Sequence, residues 1–209
     1  MSKIVNKMRI FDGQGNRLYL NLDERRRFIK ASKNEVREKR MFCQILHDTG
    51  CRISEALELT PARIMMETKE IQFRSLKKRK YDMQGNLKLP EYRLVPVSEN
   101  LIELLDLTFN LKILQGNDQM VCKPLFKLSR NTYWRMTKDV MADAGVKGKM
   151  ATPKGLRHGF AIALLVGEKP APIHLVSKVL GHSDIATTEI YLQAIGQEKR
   201  QLIMQALEL

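Results

Sequence analysis

The sequence predicts a mainly α-helical α+β chain with a small antiparallel sheet. Three observations predict it. Apolar residues recur at three- and four-residue intervals over most of the chain, as at Met41, Phe42, Ile45 and Leu46. Between Ile71 and Val97 the pattern changes to two strand-like runs, IQFRSLKK and EYRLVPVS. Glycine, proline and capping residues punctuate the rest at helix-length intervals.

The elements follow in order. The opening MRIFDGQGNRLYLN reads as a short strand or hairpin around the turn-rich DGQGN. A helix begins near Asn21-Leu22-Asp23. Another runs from Glu35 to His47 and is broken by Thr49-Gly50. The next starts at about Cys51 and buries Ile53, Ala56 and Leu57. The two strand-like runs then form a hairpin whose connection, KYDMQGNLKLP, is long, basic and exposed. Leu101 to Leu114 reads as one helix, and Leu128 to Ala144 as another with Trp134 near its centre. Three short helices follow Pro153. One comes after Leu156 and packs Phe160, Leu164 and Leu165. The second begins near Pro172 and is capped by Gly181. The third follows Ser183 as N-cap and carries Tyr191. In the tail, Leu202, Ile203, Ala206 and Leu207 make an amphipathic helix.

Composition bounds the function. The chain has 209 residues, 44% of them hydrophobic, enough to bury the core of one domain. Thirty-six Lys and Arg against 23 Asp and Glu leave a formal charge of +13, which favours a polyanionic partner, nucleic acid above all. The three cysteines, Cys43, Cys51 and Cys122, lack metal-like spacing and are an odd number, which disfavours a disulfide framework. They fit buried or incidental thiols in a reducing cytoplasm. No apolar run reaches the length of a secretion signal or a membrane span.

The residues that could carry chemistry cluster late in the chain. TPKGLRHGF places Arg157 and His158, and LGHSDIATTEIY places His182 and Tyr191. An earlier segment, TGCRISE, supplies Arg52 and Glu55. Singly, each reads most simply as a packing or surface residue. Together, arginine, histidine and tyrosine in a basic chain suggest chemistry on a phosphate. His47 and His174 belong to no such grouping and read as structural.

These segments resemble the tyrosine recombinase, or phage integrase, catalytic domain. The resemblance runs from about residue 18 to the C-terminus. It rests on TGxRxSE, on an H-x-x-R-H box and on LGH with a tyrosine nine residues later, in that order around a hairpin. It implies a single catalytic domain over 1–209, with the motif region at about 18–195. A C-terminal helix at 196–209 either packs on its own core or is exchanged between subunits. A full N-terminal DNA-clamping domain is not expected, as in the short members of the family. Tyr191 is the implied nucleophile, forming a 3′-phosphotyrosyl link to DNA. Arg52, Arg157 and His182 bind the phosphate, and a hairpin lysine protonates the leaving oxygen. Lys77 fits that place best, with Lys78 close behind. Lys78, Arg79 and Lys80 form a run suited to the DNA backbone. Glu55 and His158 support the residues that react. Lys154 stands where the family usually has histidine, and it keeps a positive group there. The implied partners are double-stranded DNA and further copies of the chain, assembled as a tetramer, with no metal or cofactor. Two alternatives are a DNA-binding regulator that has lost the chemistry and a type IB topoisomerase-like enzyme.

Overall fold

In the computed structural model the helices start where side chains can satisfy their first free N–H groups. Residues 8–76, 86, 89–167, 169–194, 196, 200, 204 and 207 are described. Helix α1 (Leu22–Ser32) opens with a capping box: Asn21 accepts from the Glu24 amide while Glu24 accepts from the Asn21 amide. Ser98 and Ser129 cap α4 (Glu99–Phe109) and α6 (Arg130–Asp143) with their side-chain oxygens alone, which accept from the Leu101 and Thr132 amides. Thr152 caps α7 (Pro153–Val166), with Pro153 at its first position. That helix therefore begins a turn earlier than the apolar pattern after Leu156 suggests. Between α1 and α4 lie α2 (Arg37–Thr49), which ends at Gly50 in the left-handed region, and the short α3 (Ile53–Leu57).

The sheet has three antiparallel strands in the order β1 (Ile64–Met65), β2 (Glu70–Arg74) and β3 (Tyr92–Pro96). Ile71 pairs with both Ile64 and Val95, so one face is apolar and meets the helices. Strand β1 was not expected, since two residues leave no periodicity to read. The helix expected over 101–114 is two. Asn110 adopts a left-handed backbone (φ 54°), ending α4 and starting α5 (Leu111–Gln115). The opening hairpin reduces to one bridge, Phe11 to Arg17, around a turn held by the Asp12 carboxylate.

The core divides in two. The larger part joins α1, α2, α4, α6 and the sheet, with Phe42 stacked on Tyr133 at 4.1 Å between ring centres. The smaller part gathers Ile10, Tyr19, Phe160, Ile162, Val176, Leu180 and Tyr191. Helix α7 spans both, with Leu156 in one and Phe160 in the other. Two glycines let residues 18–20 cross α7 at backbone distance. A β-carbon on Gly155 would sit 3.2 Å from Leu18 O, and one on Gly159 2.2 Å from Leu20 O. The crossing is fixed by the Leu20 amide, which donates to Gly155 O, and by buried Arg25, which donates to Leu156 O and His47 O. Helices α8 (Ile173–Leu180) and α9 (Ala186–Glu189) complete the second core.

The crossing predicts a stability cost. Gly159→Ala should lower stability by about 1–3 kcal/mol, because the added methyl must push the Leu20 backbone away. Gly13→Ala, which meets nothing within 4 Å, is the control. Urea unfolding of the two variants should separate them, and equal midpoints would show that the crossing is loosely packed.

Candidate active site

Two helix ends and a short turn create the site. Helix α2 stops at Gly50, whose φ of 58° redirects the chain, so that Cys51 and Arg52 lead into α3. Arg52 sits at the N-cap position of α3. Its amide and its guanidinium both donate to Glu55, at 2.8 and 2.7 Å. Helix α8 stops at Gly181 (φ 67°), which delivers His182 beside the first turn.

Arg157 joins these two ends. It projects from α7, only 6% exposed, and donates at 2.7 Å to Gly50 O and at 2.7 Å to Leu180 O. Both acceptors lie at helix C-termini, where carbonyls lack helical partners and the dipole favours a cation. Burial, with Arg52 nearby, brings the Arg157 guanidinium down to about 10, so it stays charged at neutral pH. Among the described residues, two of its five N–H donors have protein acceptors, which leaves the others for an anion.

Glu55 balances this charge. Its carboxylate is buried and receives Arg52 from one side and both terminal nitrogens of Arg93, at 3.2 and 2.7 Å, from the other. Burial alone would push this carboxyl up. The Arg93 hydrogen bonds and charge, with Arg157, outweigh it and hold the group below its ordinary range. Arg93 was missed in the sequence, where it reads as an ordinary strand residue. Only the turn at Gly50 and the strand pairing bring it to Glu55.

Tyr191 is fully buried, and its hydroxyl lies 2.9 Å from His158 Nδ1. Burial raises its phenol well above the usual range, although the Arg157 and Arg52 charges oppose the shift. His158 is 1% exposed and is pushed down to about 3, by burial first and then by the Lys154, Arg157 and His182 charges. It is a neutral ring at any working pH. His182 Nδ1 pairs with Thr188 Oγ1 at 2.8 Å, and its ring lies parallel to Tyr191 at 6.4 Å. The helix expected to carry Tyr191 ends at Glu189, and Tyr191 occupies the turn that follows. Ser183 is not its cap; the Asp184 carboxylate accepts from Ala186 N instead.

A cleft of about 590 Å³ opens over this cluster, lined by Cys51, Arg52, Lys154, Arg157 and His158. Arg130 and Trp134 of α6 extend its wall, and Lys138 lies 5.5 Å from the Trp134 ring. A smaller neighbouring cleft of about 150 Å³ is lined by His182, Ser183 and Thr187 and shares Met8 and Arg52 with the first. Lys154, in the first turn of α7, is exposed at the cleft edge. Arg52, Lys154 and Arg157 thus line one basic cleft and His182 the neighbouring one, with Glu55 buried beside Arg52 and Tyr191 buried beside His158. Lys77, Lys78, Arg79 and Lys80 lie outside the described residues, as does most of the tail at 196–209. Among the described residues, no three His, Cys, Asp or Glu side chains converge as metal ligands would. No described helix is long and apolar enough to cross a membrane.

The chain is similar in sequence and fold to known proteins. The model of the phage integrase family matches residues 19–198. The tyrosine recombinase XerD of Vibrio cholerae is 31% identical over 178 residues, covering 80% of this chain and 53% of that protein. XerD of Staphylococcus haemolyticus is 29% identical over 182 residues, covering 83% and 56%. The crystal structure of XerA recombinase superposes with a TM-score of 0.68 at 26% identity, covering 90% of this chain and 64% of that one. XerH recombinase, in a pre-cleavage complex with its difH substrate, superposes with a TM-score of 0.66 at 22% identity, covering 87% and 55%. The chain spans about half the length of the curated relatives it matches.

The buried neutral His158 ties stability to pH. Its folded value of about 3 lies below the ordinary 6.5, so below pH 6.5 the unfolded chain binds a proton that the native chain refuses. Stability should therefore fall as pH drops from 6.5 towards 3, with a contribution approaching about 1.4 kcal/mol per pH unit. His158→Gln should remove that part of the slope. Denaturant titrations of both proteins across this window measure it, and parallel curves would mean that the imidazole is reached by solvent.

Proposed function

The chain belongs to the phage integrase family of tyrosine recombinases, and on that premise we propose that it cuts and rejoins double-stranded DNA at specific sites through a 3′-phosphotyrosyl intermediate. One observation carries the reading. Arg52 and Arg157 line one basic cleft, His182 lines the smaller cleft that shares Arg52 with it, and Tyr191 is buried alongside, while the Arg157 hydrogen bonds to Gly50 O and Leu180 O fix the turns that present Arg52 and His182.

In this reading the scissile phosphate enters the cleft between Arg52 and Arg157. Their guanidinium donors hold the non-bridging oxygens, where charge grows in the transition state. His182 adds a further hydrogen bond. The Tyr191 oxygen attacks phosphorus, the bond to the 5′-oxygen breaks, and a hairpin lysine, Lys77 before Lys78, protonates the leaving oxygen. Attack by a free 5′-hydroxyl reverses the step and rejoins DNA. Because Tyr191 is buried in the free protein, DNA loading must draw its turn towards the cleft. Arg130, Trp134 and Lys138, four residues apart along α6, lie along the bound duplex together with the hairpin run Lys78 to Lys80. Residues 1–209 serve as one catalytic domain, with the motif region at about 18–195, and the working assembly is a tetramer on two DNA sites in the cytoplasm.

Nicked suicide DNA tests the reaction. The parent should form a covalent adduct, while Tyr191→Phe should bind DNA with unchanged affinity and form none. Arg52→Ala should slow adduct formation by roughly 10²–10³-fold with little loss of binding. Adduct formation by Tyr191→Phe would move the nucleophile elsewhere. No adduct from the parent would leave a DNA-binding regulator, and relaxation of supercoils without strand exchange would indicate a topoisomerase.

Lys154 is tested at the same cleft. As a phosphate contact, Lys154→Ala should lose roughly 10²-fold or more in adduct rate. Lys154→His should recover much of it below about pH 6.5, where imidazole is charged, and less above. Full activity of Lys154→Ala would make it a solvated surface residue.

A further inference from the structure

We propose that Arg93 is the positioning residue that sets the phosphate-binding geometry of Arg52 and the placement of His182. The inference rests on the recombinase reading above and adds a residue to it. Arg93 lies on β3, with its side chain 8% exposed, and three sets of contacts meet at its guanidinium. Its two terminal nitrogens grip Glu55, the carboxylate that holds both the amide and the guanidinium of Arg52. Its Nε donates at 2.8 Å to Val179 O, one residue before the carbonyl taken by Arg157. Its flat face covers the Phe73 ring, 5.1 Å from the centroid.

Gly181 explains how closely this fits. A β-carbon there would lie 3.1 Å from both Arg93 Cδ and Arg93 Nη1, so the turn leading into His182 is pressed on the Arg93 side chain. Arg93 and Arg157 are thus parallel struts. Each ties the segment 50–55 to the end of α8: Arg157 through Gly50 O and Leu180 O, Arg93 through Glu55 and Val179 O. Arg157 faces the cleft and can meet a phosphate. Arg93 does not line that cleft, so its effect on the reaction passes through Glu55 and the α8 end. Lysine could supply the charge here but not the planar fork that reaches three acceptors at once.

Removing Arg93 leaves the buried Glu55 carboxyl facing Arg52 and Arg157 as its remaining cations. From α6, Arg130 is engaged with Ser54 Oγ beside it. The adjacent Cys51 thiol, pushed up to about 12 by burial, does not titrate in the working range. Burial then raises the carboxyl towards neutrality, and its protonation frees Arg52 to swing.

Single-turnover adduct formation on suicide DNA, measured against pH, tests the proposal in Arg93→Gln, Arg93→Lys, Glu55→Gln and the Arg93→Gln/Glu55→Gln double variant. Arg93→Gln should lose about 10²-fold in rate, as a small misplacement of a catalytic group does, with DNA affinity held. Its rate should show a new ionisation, falling as pH drops, that is absent from the parent and from the double variant. Arg93→Lys should restore part of the rate and remove the new step. Losses that add in the double variant, or a pH-independent loss matched by lost stability, would reduce Arg93 to a structural residue. An equal loss of DNA affinity would make it a DNA contact. A second readout needs no reaction: carbon-13 NMR of labelled glutamate, with the Glu55 signal assigned by Glu55→Gln, should show that carboxyl ionised near pH 5 in the parent and titrating higher in Arg93→Gln. An unmoved Glu55 titration overturns the proposal even if the parent makes no adduct, an outcome that would count against the recombinase reading alone.

Discussion

The rest of the site depends on one buried cation. Arg157 takes the carbonyls left free where α2 and α8 end and so fixes the distance between the turn that presents Arg52 and the turn that presents His182. Burying a guanidinium costs several kcal/mol unless its donors are met. Here two helix-end carbonyls and the nearby Glu55 carboxylate offset that cost. The result is a charge held in place before any substrate arrives. Electrostatic stabilisation is largest under that condition, because nothing has to reorganise when charge develops. The same residue therefore serves folding as well as the phosphate binding proposed for it, so a loss of activity at this position cannot be attributed to chemistry without a stability measurement beside it.

A second constraint lies behind the first. Helix α7 can aim Arg157 only because it is docked on residues 18–20 at backbone distance, through Gly155 and Gly159. The chain's opening segment is thereby part of the catalytic scaffold. Ile10 and Tyr19 pack in the same cluster as Tyr191, and Met8 reaches the rims of both clefts. Tension or displacement in this opening segment would be felt first at the tyrosine turn.

The legible parts of this molecule are those written in short stretches of sequence. Asn21 and Gly181 announce helix ends because capping is settled within a few residues. Arg52, Arg157, His182 and Tyr191 could be picked out because fixed spacings and a family resemblance single them out. The fold brings Arg52 and Arg157 to one cleft, with His182 and Tyr191 beside it. What could not be read depends on contacts distant in sequence. Arg93 meets Glu55 across 38 positions and Arg157 meets Gly50 across 107, and no local pattern encodes either pairing. The break at Asn110 was hidden because the apolar spacing continues through it, while the left-handed backbone belongs to that one residue. The turn at Tyr191 was read as helix for a similar reason: the apolar spacing runs on through Ile190 and Leu192, but α9 ends at Glu189 and helix resumes only at Leu192.

The burial of Tyr191 gives this arrangement its logic. Inside the second core the phenol is costly to ionise, and its neighbour His158 is too weak a base to take the proton. The two cations that oppose the shift, Arg157 and Arg52, belong to the same pair proposed to bind the phosphate. Moving the phenol from the core to the cleft would remove the desolvation that raises its pKa while bringing it closer to those charges. Both changes favour the phenolate, so exposure and activation would be a single event. In the proposed reaction, a tyrosine kept in this state would have little tendency to react with a stray phosphate, and it would become competent only where DNA has filled the cleft, because the movement that uncovers it has to be offset by contacts that a bound duplex supplies.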